Sequence, residues 1–192
     1  MESFFKNAAQ FVKLSNEARE ALASSLSYHE PGKGHLLVKP HSICNHLYFV
    51  EKGLTRTFYY KDDKDITDWL SPENNFACSI VSFINRIPDR RGIEVLEDSI
   101  LWSLEHSKLE QLYQSFHEIE RLGRLIISSG MTMMQKRFDD LHFATALERY
   151  DTLMKTYPTL LQRTPLGHIA SYLGITQETL SRIRAQKSIT SR

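Results

Sequence analysis

The sequence has few of the residues that hold a small secreted or metal-dependent fold together. Its 192 residues include two cysteines, Cys44 and Cys78, and their spacing matches no zinc or iron–sulfur motif. So few cysteines exclude a disulfide framework. No apolar run is long enough to span a membrane, and the N-terminal MESFFKNAAQ lacks the apolar core of a signal peptide. These absences predict a cytoplasmic protein without membrane contact, bound metal or cofactor.

Neither sign of charge is in excess, because 24 lysines and arginines offset 23 aspartates and glutamates to a net charge of +1. The distribution is uneven, since from Leu161 onwards five basic residues accompany one acid. That balance is +4, which leaves −3 for the rest of the chain. The basic residues are Arg163, Arg182, Arg184, Lys187 and Arg192. A basic C-terminal segment on an otherwise acidic chain favours a domain that binds phosphate groups. Chance clustering of solvated charges would give the same count.

The segment 164–187, TPLGHIASYLGITQETLSRIRAQK, has the pattern of two short helices joined by a tight turn. Gly174 stands where the first helix needs a residue that tolerates a positive φ, and Thr176 can cap the second helix. The apolar, small and glycine positions of the pattern are Ile169, Ala170, Leu173, Gly174, Ile175, Leu180 and Ile183. Together they predict a helix-turn-helix, the unit that places its second helix in the major groove of DNA.

The polar side chains of the second helix match the edges of DNA bases. An arginine pairs with guanine O6 and N7, and a glutamate accepts from cytosine N4. We therefore predict double-stranded DNA as a partner. The candidate DNA-binding residues are Thr176, Gln177, Glu178, Thr179, Ser181, Arg182, Arg184 and Lys187. A packed helical hairpin with a polar outer surface is the alternative.

The run TQETLSR resembles the recognition helix of the CRP/FNR family of bacterial transcription regulators. This resemblance implies that Glu178 and Arg182 read a G·C pair in a TGA-containing half-site. Ser181 matches the serine of FNR-like members, whereas Gln177 replaces the arginine of CRP, which leaves the outer base of the half-site open. The resemblance also implies RNA polymerase as a partner, and it implies a regulator rather than an enzyme.

The first part of the chain predicts helices followed by short strands. Residues 4–26 have helical spacing with a break near Leu14 and a cap at Ser15. Short strands separated by turns then follow, among them HLLVKP, NHLYFVEKGLTRTFYY, ITDWLSP, GIEVLED and SILWSLEH. Such spacing predicts a jelly-roll-like double-sheet roll. In the family this is the cyclic-nucleotide-binding fold, and LYFVEKGLTRTFY resembles its central hairpin.

The predicted fold class is α+β, in three parts. The parts are a sensor roll with flanking helices at 1–107, a dimerisation helix at 108–141 and a helix-turn-helix domain of the winged-helix type at 142–192. The family adds a β-hairpin wing, and since SITSR alone follows Lys187, we expect the wing to be truncated.

The candidate effector pocket consists of Phe76, Cys78, Ser79, Arg90 and Arg91. The nucleotide-binding version of the fold carries F-x-G-E-L followed by an Arg-Ser/Thr pair. Alignment on Phe76 puts Cys78 at the glycine and Ser79 at the glutamate, and Arg90 or Arg91 would supply the cation. A pocket without that glycine and glutamate loses much of its phosphate and ribose chemistry. We therefore expect an unidentified small-molecule effector rather than cyclic AMP. A regulator that responds to cyclic AMP or cyclic GMP and a ligand-independent DNA-binding dimer are the alternatives.

Three histidines of the roll, His35, His41 and His46, raise the alternative of a cupin-like small-molecule-binding or metal enzyme. A cupin metal site needs two histidines one residue apart, a glutamate and a third histidine in a later motif. His41 and His46 are too far apart for the first motif, and no second motif follows. Histidines without a metal are therefore favoured.

The helical stretch at 108–141 contains apolar and small residues at alternating spacings of three and four, which is the pattern of a seam between two helices. The predicted seam comprises Ile119, Leu122, Ile126, Ser129 and Met133. In the family this helix forms the homodimer axis, so we expect a homodimer on a palindromic operator. Leu125 and Phe138, on the opposite face, are expected to pack against the roll of their own chain.

Overall fold

The structure, a computed structural model, describes residues 1–190, with side chains described as far as Lys187. It begins with the two predicted helices, α1 (Glu2–Ala8) and α2 (Asn16–Ser25). Ser15 caps α2, because its Oγ accepts from the Ala18 backbone N–H at 3.1 Å. Phe4, Phe5 and Ala8 of α1 are buried against the roll, as their helical spacing predicts.

Among residues 1–190, eight strands form two four-stranded antiparallel sheets. The first sheet has the order β1 (Leu26–His29), β8 (Ile100–Glu105), β3 (His46–Lys52) and β6 (Phe76–Ala77). The second has the order β2 (Leu36–Val38), β7 (Gly92–Val95), β4 (Thr55–Lys61) and β5 (Lys64–Ser71). The α+β class and the double-sheet roll are thus confirmed, and β1, β6 and the short helix α3 (Ile80–Asn85) are additions.

The predicted central hairpin is wrong, because β3 and β4 lie in different sheets and their connection crosses between them. Gly53 makes this crossing with a φ of 103°, and a Cβ atom there would lie 2.0 Å from Ser99 Oγ. A side chain at residue 53 would therefore meet both a strained backbone and a clash. The hairpin of this region joins β4 to β5 through Asp62 and Asp63, whose φ values of 49° and 57° suit a tight hairpin turn.

The long helical stretch is two helices, α4 (His106–Ser115) and α5 (His117–Phe143), rather than the predicted single one. Phe116 separates them with an extended backbone, φ −135° and ψ 102°. Ile119 and Leu122, 1% and 3% exposed, belong to the core of the roll together with Phe49 and Leu101. Burial of these apolar side chains holds the beginning of α5 against its own chain. Phe138, expected to pack on the roll, is instead 54% exposed.

The C-terminal part consists of α6 (Ala146–Thr156), α7 (Leu160–Arg163), α8 (Leu166–Leu173) and α9 (Gln177–Thr190). A capping box between Thr145 and Glu148 starts α6. Residues 188–190, where the family wing was expected to begin, continue α9, and residues 191–192 lie outside the described part. Within residues 1–190 no helix combines the length and apolar character needed to cross a membrane.

Candidate nucleic-acid interface and its docking on the roll

The turn between α8 and α9 has the geometry that the sequence predicts. Gly174 ends α8 in the left-handed region with φ 66°, and the Ile175 N–H donates to the Ala170 carbonyl oxygen at 3.0 Å. Thr176 Oγ1 accepts from the Thr179 backbone N–H at 3.2 Å and so caps α9. The two helices and their turn are therefore confirmed.

The apolar positions of the motif form one core between the two helices. Ile169, Ala170 and Leu173 of α8 and Leu180 and Ile183 of α9 are buried in it. Ile175 in the turn packs against the same cluster and is partly exposed. Since these residues recur every three or four positions, their burial fixes which face of α9 points outward.

The outward face of α9 carries a carboxylate and a guanidinium one turn apart. Glu178 and Arg182 are both exposed. The hydrogen bond with Thr176 is the main cause of the lowered pKa of Glu178, and the charge of Arg182 adds a smaller effect. Arg182 Nη2 is 3.4 Å from Thr179 Oγ1, a weak contact that leaves the guanidinium at the surface.

The remaining candidate DNA-binding residues differ in their surroundings. Gln177, Ser181 and Arg184 are exposed on α9, and Thr179 is half-buried beside its cap. Lys187 Nζ donates to Asp151 Oδ2 of α6 at 2.7 Å, so this ammonium already has an acidic neighbour within the chain. The face thus contains polar and basic groups, and Lys187 among them is paired within the chain.

The helix-turn-helix is docked on the second sheet of the roll, which the sequence did not predict. Arg56 of β4, 4% exposed, is the centre of the polar contact. Its Nη1 and Nη2 bind both carboxylate oxygens of Asp65 at 2.6 and 2.7 Å, and its Nε binds Glu94 at 2.8 Å. Its Nη1 also lies 3.0 Å from Nδ1 of His168 in α8. A buried guanidinium therefore links the sheet to the first helix of the motif.

A second arginine, in α7 just before the helix-turn-helix, binds the roll. Arg163 of α7 binds Glu73 at 2.6 Å and Glu97 at 2.5 Å. The hydrogen bonds that Arg163 donates to Glu97 and Glu73 raise the pKa of Arg163, which keeps its charge at any accessible pH. Beside this clamp lies an open cleft of about 280 Å³ lined by Glu73, Arg163 and the 156–160 segment.

Apolar and backbone contacts complete the docking surface. Leu54, Leu70 and Leu96 of the roll are buried in the same cluster as the helix-turn-helix core. The Thr67 backbone N–H of β5 donates to Ser171 Oγ of α8 at 2.9 Å. Because one apolar cluster contains residues of both parts, a movement of the helix-turn-helix away from the roll would expose buried leucines.

The turn of the motif is also held by the end of α5 and by α6. Arg137 lies over the Tyr172 ring at 3.7 Å and donates to the Tyr172 carbonyl oxygen at 2.9 Å. Arg149 of α6 donates to the Leu173 carbonyl oxygen at 2.9 Å and to that of Ala144 at 2.6 Å. The position of α9 therefore depends on α5 as well as on the roll.

The His168 contact predicts a pH-dependent stability. Burial is the main cause that lowers the pKa of His168, and the charge of Arg56 lowers it further, while Asp65 and Glu94 oppose both. A lowered histidine pKa means that the folded chain binds fewer protons than the unfolded chain. This contribution to stability is complete above the unfolded pKa of about 6.5 and is lost as the pH falls below it.

We expect the free energy of unfolding of the wild type to fall between pH 7.5 and 5.5 more steeply than that of His168→Asn. Asparagine offers an acceptor to Arg56 and does not titrate. Urea unfolding at a series of pH values measures both slopes. Equal slopes would mean that His168 does not couple to folding.

The candidate effector residues are brought together only in part. Ser79 Oγ donates to Asp89 Oδ2 at 2.7 Å, and Arg91 Nη1 lies 3.3 Å from the same carboxylate oxygen. Asp68 also accepts from Arg91 Nε at 2.6 Å, so two carboxylates already balance this cation. Burial raises the pKa of Asp89, but the hydrogen bond from Ser79 and the charge of Arg91 together outweigh burial. The pKa of Asp89 is therefore lowered.

The other three candidate effector residues, Phe76, Cys78 and Arg90, have different neighbours. Phe76 packs its ring against Phe49 at 5.3 Å in the core, and Cys78 lies beside Cys44. The Arg90 guanidinium lies 4.6 Å from the Tyr59 ring centroid, and the Arg91 guanidinium lies 5.9 Å from the same centroid. Within residues 1–190 no group of three or more His, Cys, Asp and Glu side chains is arranged to hold a metal ion.

Several solved structures are similar to this one in fold. FixK2 from Bradyrhizobium japonicum matches with a TM-score of 0.74 at 16% identity, over 86% of each chain. CLP, a c-di-GMP responsive global regulator from Xanthomonas campestris, matches with a TM-score of 0.70 at 13% identity, over 92% of this chain and 93% of that chain. A Eubacterium rectale protein described as a candidate transcriptional regulator of the crp/fnr family matches with a TM-score of 0.70 at 15% identity, over 92% of this chain and 85% of that chain.

No protein-family model and no curated protein sequence matches the chain. At identities of 13–16% these matches show that the chain shares the fold of those structures, and a shared fold does not by itself carry a function.

Proposed function

We propose that the protein is a homodimeric, sequence-specific DNA-binding transcription regulator of the CRP/FNR type. The observation that carries the proposal is the exposed pair Glu178 and Arg182 on the second helix of a helix-turn-helix. The buried faces of α8 and α9 turn this pair away from the rest of the chain. A carboxylate and a guanidinium one turn apart on such a helix suit a cytosine and a guanine in the major groove.

The other polar residues of α9 support the same proposal. Arg184 lies on the exposed surface of α9 and adds positive charge that attracts phosphates, and Lys187 adds to it where a phosphate displaces Asp151. Phosphate contacts orient the helix, while Glu178 and Arg182 supply base recognition. RNA polymerase is a further partner in this proposal, because the CRP/FNR regulators that this sequence resembles act on transcription.

The dimer interface lies, in this proposal, on the second half of α5. Five of the exposed large apolar residues of this helix form a stripe at alternating spacings of four and three, namely Ile127, Met131, Met134, Phe138 and Leu141, while Met133 and Phe143 are exposed outside it. This is the repeat of a two-helix seam. It differs in phase from the predicted seam, because Ile119 and Leu122 are buried in their own core and Ile126 packs against it. Ser129 and Met133 remain candidates beside the exposed stripe.

We expect Met131→Glu combined with Phe138→Glu to convert a dimer into a monomer, because a carboxylate in an apolar seam loses its hydration without a partner. Size-exclusion chromatography with light scattering should show the mass fall from twice 22.3 kDa to 22.3 kDa. Phe143→Glu is the matched control, since Phe143 is 82% exposed on the same helix and outside the stripe. A monomeric wild type, or a dimeric double variant, would contradict this interface.

Selection of bound duplexes from a random DNA pool tests the function itself. We expect the enriched sites to be two-fold symmetric, with half-sites about 10 bp apart centre to centre. Fluorescence anisotropy should then show two chains per duplex and at least about a 10³-fold preference over a scrambled duplex at the same salt concentration. Equal affinity for both duplexes would reject sequence-specific recognition.

Control of DNA binding acts, in this proposal, through the docking of the helix-turn-helix on the roll. The contacts of Arg56 and Arg163 and the shared leucine cluster hold α8 in one position. An effector bound to the roll changes DNA affinity only if the arrangement that fits DNA binds it with a different affinity. The effector is a small molecule whose identity the pocket residues leave open.

A further inference from the structure

The first sheet of the roll brings the two cysteines of the chain into contact. The Sγ atoms of Cys44 and Cys78 lie 3.9 Å apart, and both thiols are free. Cys44 precedes β3 and Cys78 follows β6, and these two strands pair antiparallel with Tyr48 opposite Ala77. The pairing of the strands therefore places the two thiols side by side.

Further hydrogen bonds hold Cys44 against the segment that follows Cys78. The Cys44 backbone N–H donates to Ser82 Oγ of α3 at 2.9 Å. Arg86, at the end of α3, donates from Nη1 to the Cys44 carbonyl oxygen at 2.9 Å. These two hydrogen bonds hold the backbone of Cys44 next to α3, so the two sulfurs stay adjacent. The Arg86 guanidinium is the cation that lies near them.

The environment favours loss of one proton from the pair. The hydrogen bond from the Cys78 thiol is the main cause that lowers the pKa of Cys44 to about 7, and the charge of Arg86 helps. The pKa of Cys78 is raised, because the two sulfurs share the remaining proton and because burial disfavours a second charge. Near neutral pH a substantial fraction of the pair therefore carries one thiolate, the reactive form of cysteine.

We propose that Cys44 and Cys78 form a peroxide-oxidisable dithiol site that closes to a reversible intramolecular disulfide. Cys78 is partly exposed whereas Cys44 is buried, so Cys78 is the sulfur that meets the oxidant. In the minor form of the pair, in which the remaining proton lies on Cys44, the Cys78 thiolate attacks one oxygen of hydrogen peroxide. The O–O bond breaks, hydroxide leaves and takes a proton from solvent, and Cys78 becomes a sulfenic acid.

The Cys44 sulfur then attacks Cys78 Sγ, the S–O bond breaks, and the departing hydroxide takes the Cys44 proton to form water. In total, two thiols are oxidised to one disulfide and one peroxide is reduced to two waters. The sulfurs must approach from 3.9 Å to about 2.05 Å, a shift within reach of side-chain rotation and small backbone movement. The new bond would tie the loop before β3 to the residue next to Ser79, which binds Asp89.

Stoichiometric hydrogen peroxide on the reduced full-length chain tests this site. We expect the titratable thiols to fall from two per chain to none. The intact mass should fall by two hydrogen atoms, a Cys44–Cys78 linked peptide should appear in a non-reducing digest, and dithiothreitol should reverse all three changes. Unchanged thiols, disulfides between chains only, or sulfinic acid without a linked peptide would overturn the proposal.

The order of the two steps is tested with single variants. Cys44→Ser should accumulate a sulfenic acid at Cys78 that dimedone traps, because the resolving thiol is missing. Cys78→Ser should react more slowly and give little adduct, because Cys44 is buried. Equal trapping on both variants, or trapping on Cys78→Ser alone, would overturn the role given to Cys78, and the wild-type mass measurement stands even if a variant folds poorly.

Discussion

Replacing Arg56 with alanine is expected to lower the free energy of unfolding by about 3 kcal/mol, near the lower end of the range for breaking a buried ion pair. Arg56 is 4% exposed and binds Asp65, Glu94, Thr67 and His168. Alanine leaves the two carboxylates close together without their cation. The lower end applies because the Asp65 and Glu94 side chains, 36% and 23% exposed, can recover part of their hydration.

Urea unfolding of the two proteins measures this loss. Arg90→Ala is the matched control, because Arg90 is an exposed arginine of the same sheet region whose described contact is the Tyr59 ring. Its removal should cost less than about 1 kcal/mol, the range of an exposed cation–π contact. Similar losses for Arg56→Ala and Arg90→Ala would show that the buried network contributes little.

A double-mutant cycle separates docking from the stability of the roll. Arg56→Ala and His168→Ala together should cost less than the sum of the single changes, with a coupling of about 0.5 kcal/mol or more. The reason is that both single variants break the same contact between β4 and α8. Additive losses would mean that Arg56 stabilises the sheet without holding the helix-turn-helix.

Replacing Arg182 with alanine is expected to weaken binding to the selected DNA site by about 1–3 kcal/mol, which is roughly 5- to 150-fold. The variant should also lose its preference at one G·C pair of each half-site, because arginine pairs with guanine through two hydrogen bonds. The stability of the fold should stay unchanged, since Arg182 is exposed and its described contact with Thr179 is 3.4 Å long.

Competition anisotropy with duplexes that differ at single base pairs measures this effect. Arg182→Lys keeps the charge without the planar pair of donors, so it should lose base preference while retaining affinity for scrambled DNA. Arg121→Ala removes an exposed arginine near the start of α5 and should leave affinity and preference unchanged. Wild-type affinity and base preference in Arg182→Ala would remove Arg182 from the recognition surface.

The helix-turn-helix could be predicted because its signals lie close together in the sequence. Gly174 needs a positive φ, Thr176 caps α9, and the apolar spacing of Leu180 and Ile183 defines a face. Each signal depends on neighbours within one or two helical turns. The cap of Ser15 on α2 was predictable for the same reason.

The docking surface could not be predicted from such local signals. The partners of Arg56 in the chain are 9, 38 and 112 positions away, and those of Arg163 are 66 and 90 positions away. An arginine in the buried first half of β4 is a sign of a buried partner, yet nothing in the strand says which element supplies that partner.

The sequence by itself determined the class of fold, the position of the second helix of the helix-turn-helix and the outward carboxylate and guanidinium on that helix. Those features follow from periodicity and capping, which operate over a few residues. Tertiary structure alone decided that β3 and β4 belong to different sheets, that α5 begins at His117 and which stripe of α5 stays exposed. It also decided that the two thiols meet, because each of these outcomes depends on which distant surfaces bury one another.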